Sequence, residues 1–250
     1  MVAAEIYVGT SGWNYKHWVG QFYPDDLPQK QMLSFYASHF DSVEINNSFY
    51  QLPKLKTFAN WRDAVPRHFI FAVKASRFIT HMKKLKAPKT SSHKLFTHME
   101  RLNQKLGPIL FQLPPHWHYD IARLAAFLKA MPPGRRYVFE FRDVSWLTQE
   151  VYRLLTEYNV ALCIHDLGGK ESPREITADF TYLRFHGPRR AAYTGSYPPR
   201  VLKEWAKRIT EWRSELKAIY VYFNNDAEGH AIRNALSFRE LLSSGSANKF

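Results

Sequence analysis

The stretch YVFEFRDVSW, Tyr137 to Trp146, sets two opposite charges, Glu140 and Arg142, two residues apart within a run of aromatic and β-branched residues. Such residues suit a pleated, half-buried strand. Its period-2 alternation sends Val138, Glu140 and Arg142 to one face, with Phe139 and Phe141 on the other. Charges persist in a strand buried on both faces when they are paired or used. This pair is therefore either a structural lock or part of a site. The same layout recurs at the ends of other apolar runs: Thr10 and Ser11; Glu44, Asn46 and Asn47; Lys74; Gln112; His165 and Asp166; Arg184 and His186; Asn224, Asn225 and Asp226. Lys74, Arg142 and Arg184 are the types that neutralise phosphate or carboxylate, arginine bidentately. Glu44, Glu140 and His186 are the types that move protons.

The elements that must position these groups are legible as periodicity. Strands are expected at Ile6–Gly9, Ser42–Ile45, Phe69–Ala75, Pro108–Leu113, Tyr137–Phe141, Val160–Ile164, Thr181–Phe185 and Ile219–Phe223. Between them, helical spacing marks Gln31–Phe40, Leu55–Val65, Ser92–Leu106, Ile121–Met131, Leu147–Tyr158, Arg200–Leu216 and Ala227–Leu242. Gly168–Ala178 lacks that spacing, so an irregular segment is expected in place of the helix after the sixth strand. No Asn-Gly type of hairpin signal separates neighbouring strands, so alternation implies right-handed crossovers and a parallel sheet. Eight units over 250 residues give a single (β/α)8 TIM-type barrel as one domain, 1–250. A doubly wound open sheet is the alternative, but its G-x-G-x-x-G turn is absent. In a barrel, all the strand-end groups above would gather at the C-terminal mouth.

Composition narrows the ligand. Lys plus Arg exceed Asp plus Glu by 35 to 22, a net +13, which favours an anionic partner. The bias is concentrated between Lys74 and Lys105, where nine basic residues face one acid, Glu100. Rings follow the strands as well: Trp13, Tyr15, Trp18, Phe49, Tyr50, Trp117, Trp146, Tyr193 and Tyr197. Beside lysine and arginine they would stack on bases or sugars, or else pack over the barrel. The single cysteine, Cys163, lies in the apolar run ALCI and reads as a buried hydrophobe, leaving no disulfide framework. A divalent metal would find ligand types in Glu44, Glu140, His165, Asp166, His186, Asp226 and His230. No H-E-x-x-H spacing accompanies them, and Arg142 and Arg184 would oppose a dication, so the expectation is a site without metal. The start MVAAEIYVG lacks the charged and apolar regions of a signal peptide, and no apolar run is long enough to span a bilayer. A cytoplasmic protein without membrane contact is expected.

The motifs GTSGW with the following FYP, EINNSFYQLP, FAVKASRFITH, LGPILFQLPP, FEFRDVSW, YLRFHG and YVYFNN resemble the YecE-like family, designated domain of unknown function 72. The resemblance runs from about Val8 to Ala235. It implies a TIM-type barrel, and the family's likeness to metal-dependent barrels, DNA-repair endonucleases and sugar isomerases among them, implies nucleic-acid binding. Carried onto this chain, it marks Glu44, Asn46, Lys74, His81, Gln112, Glu140, Arg142, Arg184, His186, Asn224 and Asn225. The His and acidic set of a trinuclear zinc nuclease is not matched here.

Three readings follow. The first is a barrel whose cationic pocket binds a phosphate-bearing ligand, with DNA or RNA as the favoured carrier, and processes it. Lys74, Arg142 and Arg184 would hold the anion, Glu140 or Glu44 would act as base, and His186 as acid or oxyanion partner. The second is an enzyme acting on a small anionic metabolite such as a sugar phosphate. The third is a non-catalytic binding module.

Overall fold

Strand β5 (Tyr137–Glu140) is buried at every residue, and so are β8 (Phe180–Phe185) and β9 (Ala218–Phe223). Strands covered on both faces read as near-continuous apolar runs, as parallel sheets require. The protein, described by a computed structural model over residues 3–247, follows this rule in these three strands. The remaining strands are β1 (Glu5–Thr10), β2 (Ser42–Ile45), β3 (Ile70–Lys74), β4 (Leu106–Gln112), β6 (Ala161–Leu167) and the two-residue β7 (Lys170–Glu171). Helices α1 (Met32–Ala37), α2 (Leu55–Asp63), α3 (Pro88–Met99), α4 (Ile121–Ala130), α5 (Gln149–Glu157), α6 (Pro199–Trp212) and α7 (His230–Ala247) lie between or after them. Eight parallel strands alternating with helices make this a (β/α)8 TIM-type fold.

The chain packs as two compact units. One comprises residues up to Val43, Ile164–Arg174 and the chain from Asp179; the other comprises Glu44–Cys163 and Glu175–Ala178. In the first, β1 pairs with β9 and β9 with β8, both parallel, and the register sets Arg184 beside Tyr222 and Thr10 beside Phe223. In the second, β3, β4, β5 and the start of β6 pair in parallel, and Gln112 lies directly beside Glu140. Register thus brings strand-end polar residues side by side.

Helix ends follow local chemistry. The Asp120 side chain accepts from Arg123 N at 3.0 Å to start α4, and Thr148 accepts from Val151 N at 3.3 Å to start α5. Pro199 opens α6, whose stripe Leu202, Trp205 and Ile209 is buried as its spacing requires. The expected Ser92–Leu106 helix instead starts at Pro88 and ends at Met99, giving way to a 3₁₀ stretch in which Asn103 has φ 51°. The segment after β6 does lack a helix, but it also holds a hairpin that the sequence reading passed over. Gly168 and Gly169, with φ of 61° and 76°, turn the chain into antiparallel β7. Two successive positive-φ glycines are what a tight hairpin turn requires. As a result β6 continues through His165, Asp166 and Leu167 rather than ending at Ile164.

Gly9 on β1 shows how tightly the first unit is packed. A Cβ there would collide with the backbone carbonyl of Ser42 and approach the Tyr36 hydroxyl to 2.9 Å. That hydroxyl accepts from Thr10 N at 2.9 Å and donates to Ser42 O at 3.1 Å. Gly9→Ala should therefore destabilise the protein by roughly 1–3 kcal/mol, the cost of overpacking a filled core. Urea unfolding of the variant, with an unchanged m-value, measures this; an unchanged midpoint would contradict it.

Candidate functional site

In the second unit, Glu140 ends β5 with no exposed surface. The Gln112 amide donates to its Oε1 at 2.8 Å, and the Arg142 guanidinium closes on the same oxygen. Although β5 ends at Glu140, Arg142 still folds back to it, with only 9% of its side chain exposed. A carboxylate held by a neighbouring amide and a guanidinium is a fixed charge with a defined direction. The expected Glu140–Arg142 pair is present, and Gln112 joins it.

A second group forms around Phe49. Lys74, 6% exposed at the end of β3, sets its ammonium 4.1 Å from the Phe49 ring centroid. The His81 ring meets Phe49 edge-on at 5.0 Å, and its Nδ1 lies 2.9 Å from Thr80 Oγ1. Burial, then the charges of Lys74 and Arg77, push the His81 pKa below the usual histidine value. The imidazole is thereby biased to its neutral form. Ser48 Oγ donates to Lys74 O at 2.6 Å, tying the turn after β2 to the end of β3. Glu44 is fully buried in β2. Asn46 is half-buried, and its Oδ1 is enclosed without a hydrogen-bond partner.

The first unit carries its own group. Arg184 (1% exposed) and His186 (fully buried) lie two residues apart, with NH1 3.5 Å from Nε2. Asn224 Nδ2 is 3.0 Å from His186 Nδ1, so both ring nitrogens of His186 face nitrogen groups of its neighbours, Asn224 on one side and Arg184 on the other. Tyr193, with φ 66°, packs its ring edge-on to His186 at 5.4 Å. Asn225 stands apart in role. Its Nδ2 donates to Gly195 O at 2.8 Å and Asn234 Oδ1 at 2.9 Å, so it braces the loop after β8.

Sequence reasoning underrated Asp166. It accepts from His186 N at 2.8 Å and, through a short bond, from the Tyr197 hydroxyl, which itself accepts from Gly187 N at 2.8 Å. One carboxyl thus fixes the backbone that carries His186 and the loop beyond it. Burial pushes its pKa up to about 6, against the lowering effect of those hydrogen bonds. Asp226 precedes a short helical turn at Ala227–Gly229 but makes no capping bond with its side chain: it accepts from Trp18 Nε1 at 2.8 Å and pairs with His17 Nε2 at 2.9 Å. Burial raises its pKa to about 6 as well.

The rings divide between packing and exposure. Trp13, Trp18, Phe49, Trp117, Trp146 and also Tyr197 are buried, and Trp146 stacks on Phe141 at 5.1 Å while donating to Trp117 O at 2.6 Å. Tyr50 and Tyr193 stay exposed. Among the described residues no group of three or more His, Cys, Asp or Glu side chains is placed to hold a metal ion, and no helix is long and apolar enough to cross a membrane.

Asp166 yields a test with a definite sign. In the fold its carboxyl keeps the proton up to about pH 6, but in the unfolded chain only to about pH 4. Folding therefore takes up a proton in that window. The resulting stability is complete below about pH 4 and is lost as pH rises through 6. The stability of the native protein minus that of Asp166→Asn should fall by on the order of 3 kcal/mol from pH 4 to pH 7. Asp226 titrates equally in both proteins and cancels. Parallel urea-derived stability curves would contradict this assignment.

The family described as "Protein of unknown function DUF72" matches residues 7–249. UPF0759 protein YunF of Bacillus subtilis is 27% identical over 95% of this chain and 94% of its own. UPF0759 protein YecE of Escherichia coli is 29% identical over 55% of this chain and 48% of its own length. The crystal structure of a DUF72 family protein from Thermotoga maritima superposes with a TM-score of 0.86 at 30% identity, covering 96% of this chain and 99% of that one. With a (β/α)8 fold, the family's motifs at the strand ends and a match over nearly its whole length, the chain belongs to the DUF72 family.

Proposed function

We propose that the protein binds a phosphate-bearing ligand through basic side chains at the C-terminal ends of its strands, and that nucleic acid is the carrier of that phosphate. The observation that carries the reading is the enclosure of three cations at or just beyond parallel strand ends: Lys74 is 6% and Arg184 1% exposed, and 9% of the Arg142 side chain is exposed. Holding ionised groups out of water is costly, and a polyanion entering such a place gains interactions that water does not screen. The orphan acceptor Asn46 Oδ1 supports the reading, since buried polar atoms without partners mark places where a ligand or water completes the set. Nucleic acid is favoured over other carriers by the net charge of +13 and the acid-poor connection after β3.

Proton transfer to or from the ligand falls to three groups. His186, set between Asn224 and Arg184, is the acid or oxyanion partner. Glu44 and Glu140 are the carboxylates, and Glu140 is oriented by Gln112 and Arg142. The depth of the cations favours one second reading, a small anionic metabolite whose phosphate reaches in alone.

Fluorescence anisotropy of labelled oligonucleotides, titrated with salt, separates the two. The nucleic-acid reading expects affinity to fall steeply with salt and to drop by about tenfold or more in Arg184→Gln, as removal of one charge-assisted bond implies. The metabolite reading expects no oligonucleotide binding at low salt, with sugar phosphate raising the melting temperature of the native protein but not of Arg184→Gln. Absence of both effects would overturn the phosphate assignment.

A further inference from the structure

Most exposed residues of a folded chain are polar, so exposed rings set among cations are informative. In the second unit Tyr50 is 69% exposed, Phe78 42%, Met82 68% and Tyr119 44%. Each follows the end of a strand: Tyr50 after β2, Phe78 and Met82 after β3, Tyr119 after β4. From Lys74 to Met99 the chain has seven lysines and arginines and no acid. Two adjacent lysines of this stretch contact rings: Lys83 Nζ lies 5.5 Å from the Phe78 centroid and Lys84 Nζ 5.8 Å from that of Trp117.

The backbone that presents them is held in an unusual shape. Phe78–Met82 is a single π-helical turn, a form concentrated at functional sites. Directly after it, Lys84, Leu85 and Ala87 have φ of 45°, 62° and 47°. Three non-glycine residues in the left-handed region within four positions are disfavoured by their own Cβ atoms and persist only where the surroundings impose them. Here Leu85 is driven into the core (1% exposed), Leu85 N donates to Ile79 O at 3.0 Å, and Lys86 N to Lys83 O at 2.9 Å. The buried leucine anchors the loop, and Lys83, Lys84 and Lys86 are left exposed. Ring contacts link this surface to the buried cation: Tyr50 meets Phe49 at 5.0 Å, Phe49 meets His81 at 5.0 Å, and Lys74 lies over Phe49.

We infer that the turns after β2 and β3 form a platform for single-stranded nucleic acid, with unpaired bases stacking on Tyr50 and Phe78 and phosphates lying along Lys83, Lys84 and Lys86. This deepens the nucleic-acid reading above and rests on it. Stacking needs a base face, which a duplex keeps buried, so exposed rings beside backbone-binding lysines select the unpaired strand. A lipid surface fits less well, because a five-residue helical turn is too short to lay an apolar face into a bilayer.

The test uses the full chain, a labelled oligothymidylate of about fifteen nucleotides, within the site sizes of stacking platforms, and a duplex of equal length. The single strand should bind at least roughly tenfold more tightly than the duplex, and Phe78→Ala and Tyr50→Ala should each weaken it by roughly five- to a hundredfold. Both residues are exposed, so these variants keep the fold. Neutralising Lys83, Lys84 and Lys86 together should flatten the slope of log affinity against log salt by about 2. Equal affinity for strand and duplex, or a Phe78→Ala variant that binds as the native protein does, overturns the platform while leaving phosphate binding at Arg184 standing. Sedimentation with phosphatidylserine vesicles in the absence of strand binding overturns it in favour of a lipid surface. If no strand binds but inorganic pyrophosphate still raises the melting temperature in an Arg184-dependent way, the platform falls and the phosphate reading survives. Loss of both removes both.

Discussion

The cost of keeping ionised groups out of water at the strand ends is the constraint on which the rest of this structure depends. Each solution seen here is local and reciprocal. Glu140 is shared between the amide beside it in the sheet and the arginine two residues on, so register and ion pairing reinforce one another. Breaking such a pair is strongly destabilising, whereas keeping it contributes little net stability. The groups are thus held in place more firmly than they hold the fold. Asp166 solves the same problem differently: with two hydrogen bonds to the loop that it anchors, it still binds its proton more tightly than a carboxyl in water.

That constraint separates scaffold from site. Asn225, Asp226 and the buried tryptophans are committed to joining loops to one another. Lys74, Arg142 and Arg184 are cations buried at positions where α/β folds place their chemistry. Fold and family leave the reaction open, since one barrel architecture serves many chemistries. The sign and burial of these side chains favour a phosphate-bearing ligand, and rings that the fold leaves exposed beside lysines favour an unpaired strand.

Much of this was legible in the sequence because two signals, period-2 apolar runs and the helices between them, are local. All eight parallel strands could be placed, and the Glu140–Arg142 pair followed from alternation, whereas Gln112 joins it through the register of β4 and β5. What escaped depended on distant partners or on backbone conformation. The Gly168–Gly169 hairpin was hidden by attention to Asn-Gly turns, although paired glycines carry the same freedom at positive φ. Tyr197 sits in a loop, and its hydroxyl reaches Asp166, thirty-one residues away. Asp226 had the form of a helix cap, but its partner is the indole of Trp18, 208 residues earlier. No local pattern encodes such contacts. The left-handed run at Lys84–Ala87 gives no sequence signal at all, since lysine, leucine and alanine seldom adopt it.

The central claim is that the buried strand-end arginines meet phosphate. Side-chain NMR of the arginine Nε–Hε groups during titration with inorganic pyrophosphate, at constant ionic strength, tests it most directly. The account predicts that the Arg184 and Arg142 signals shift and saturate, while those of exposed arginines such as Arg189 and Arg200 do not. Shifts confined to the exposed arginines and rising without saturation would contradict it, leaving the buried cations as structural partners alone.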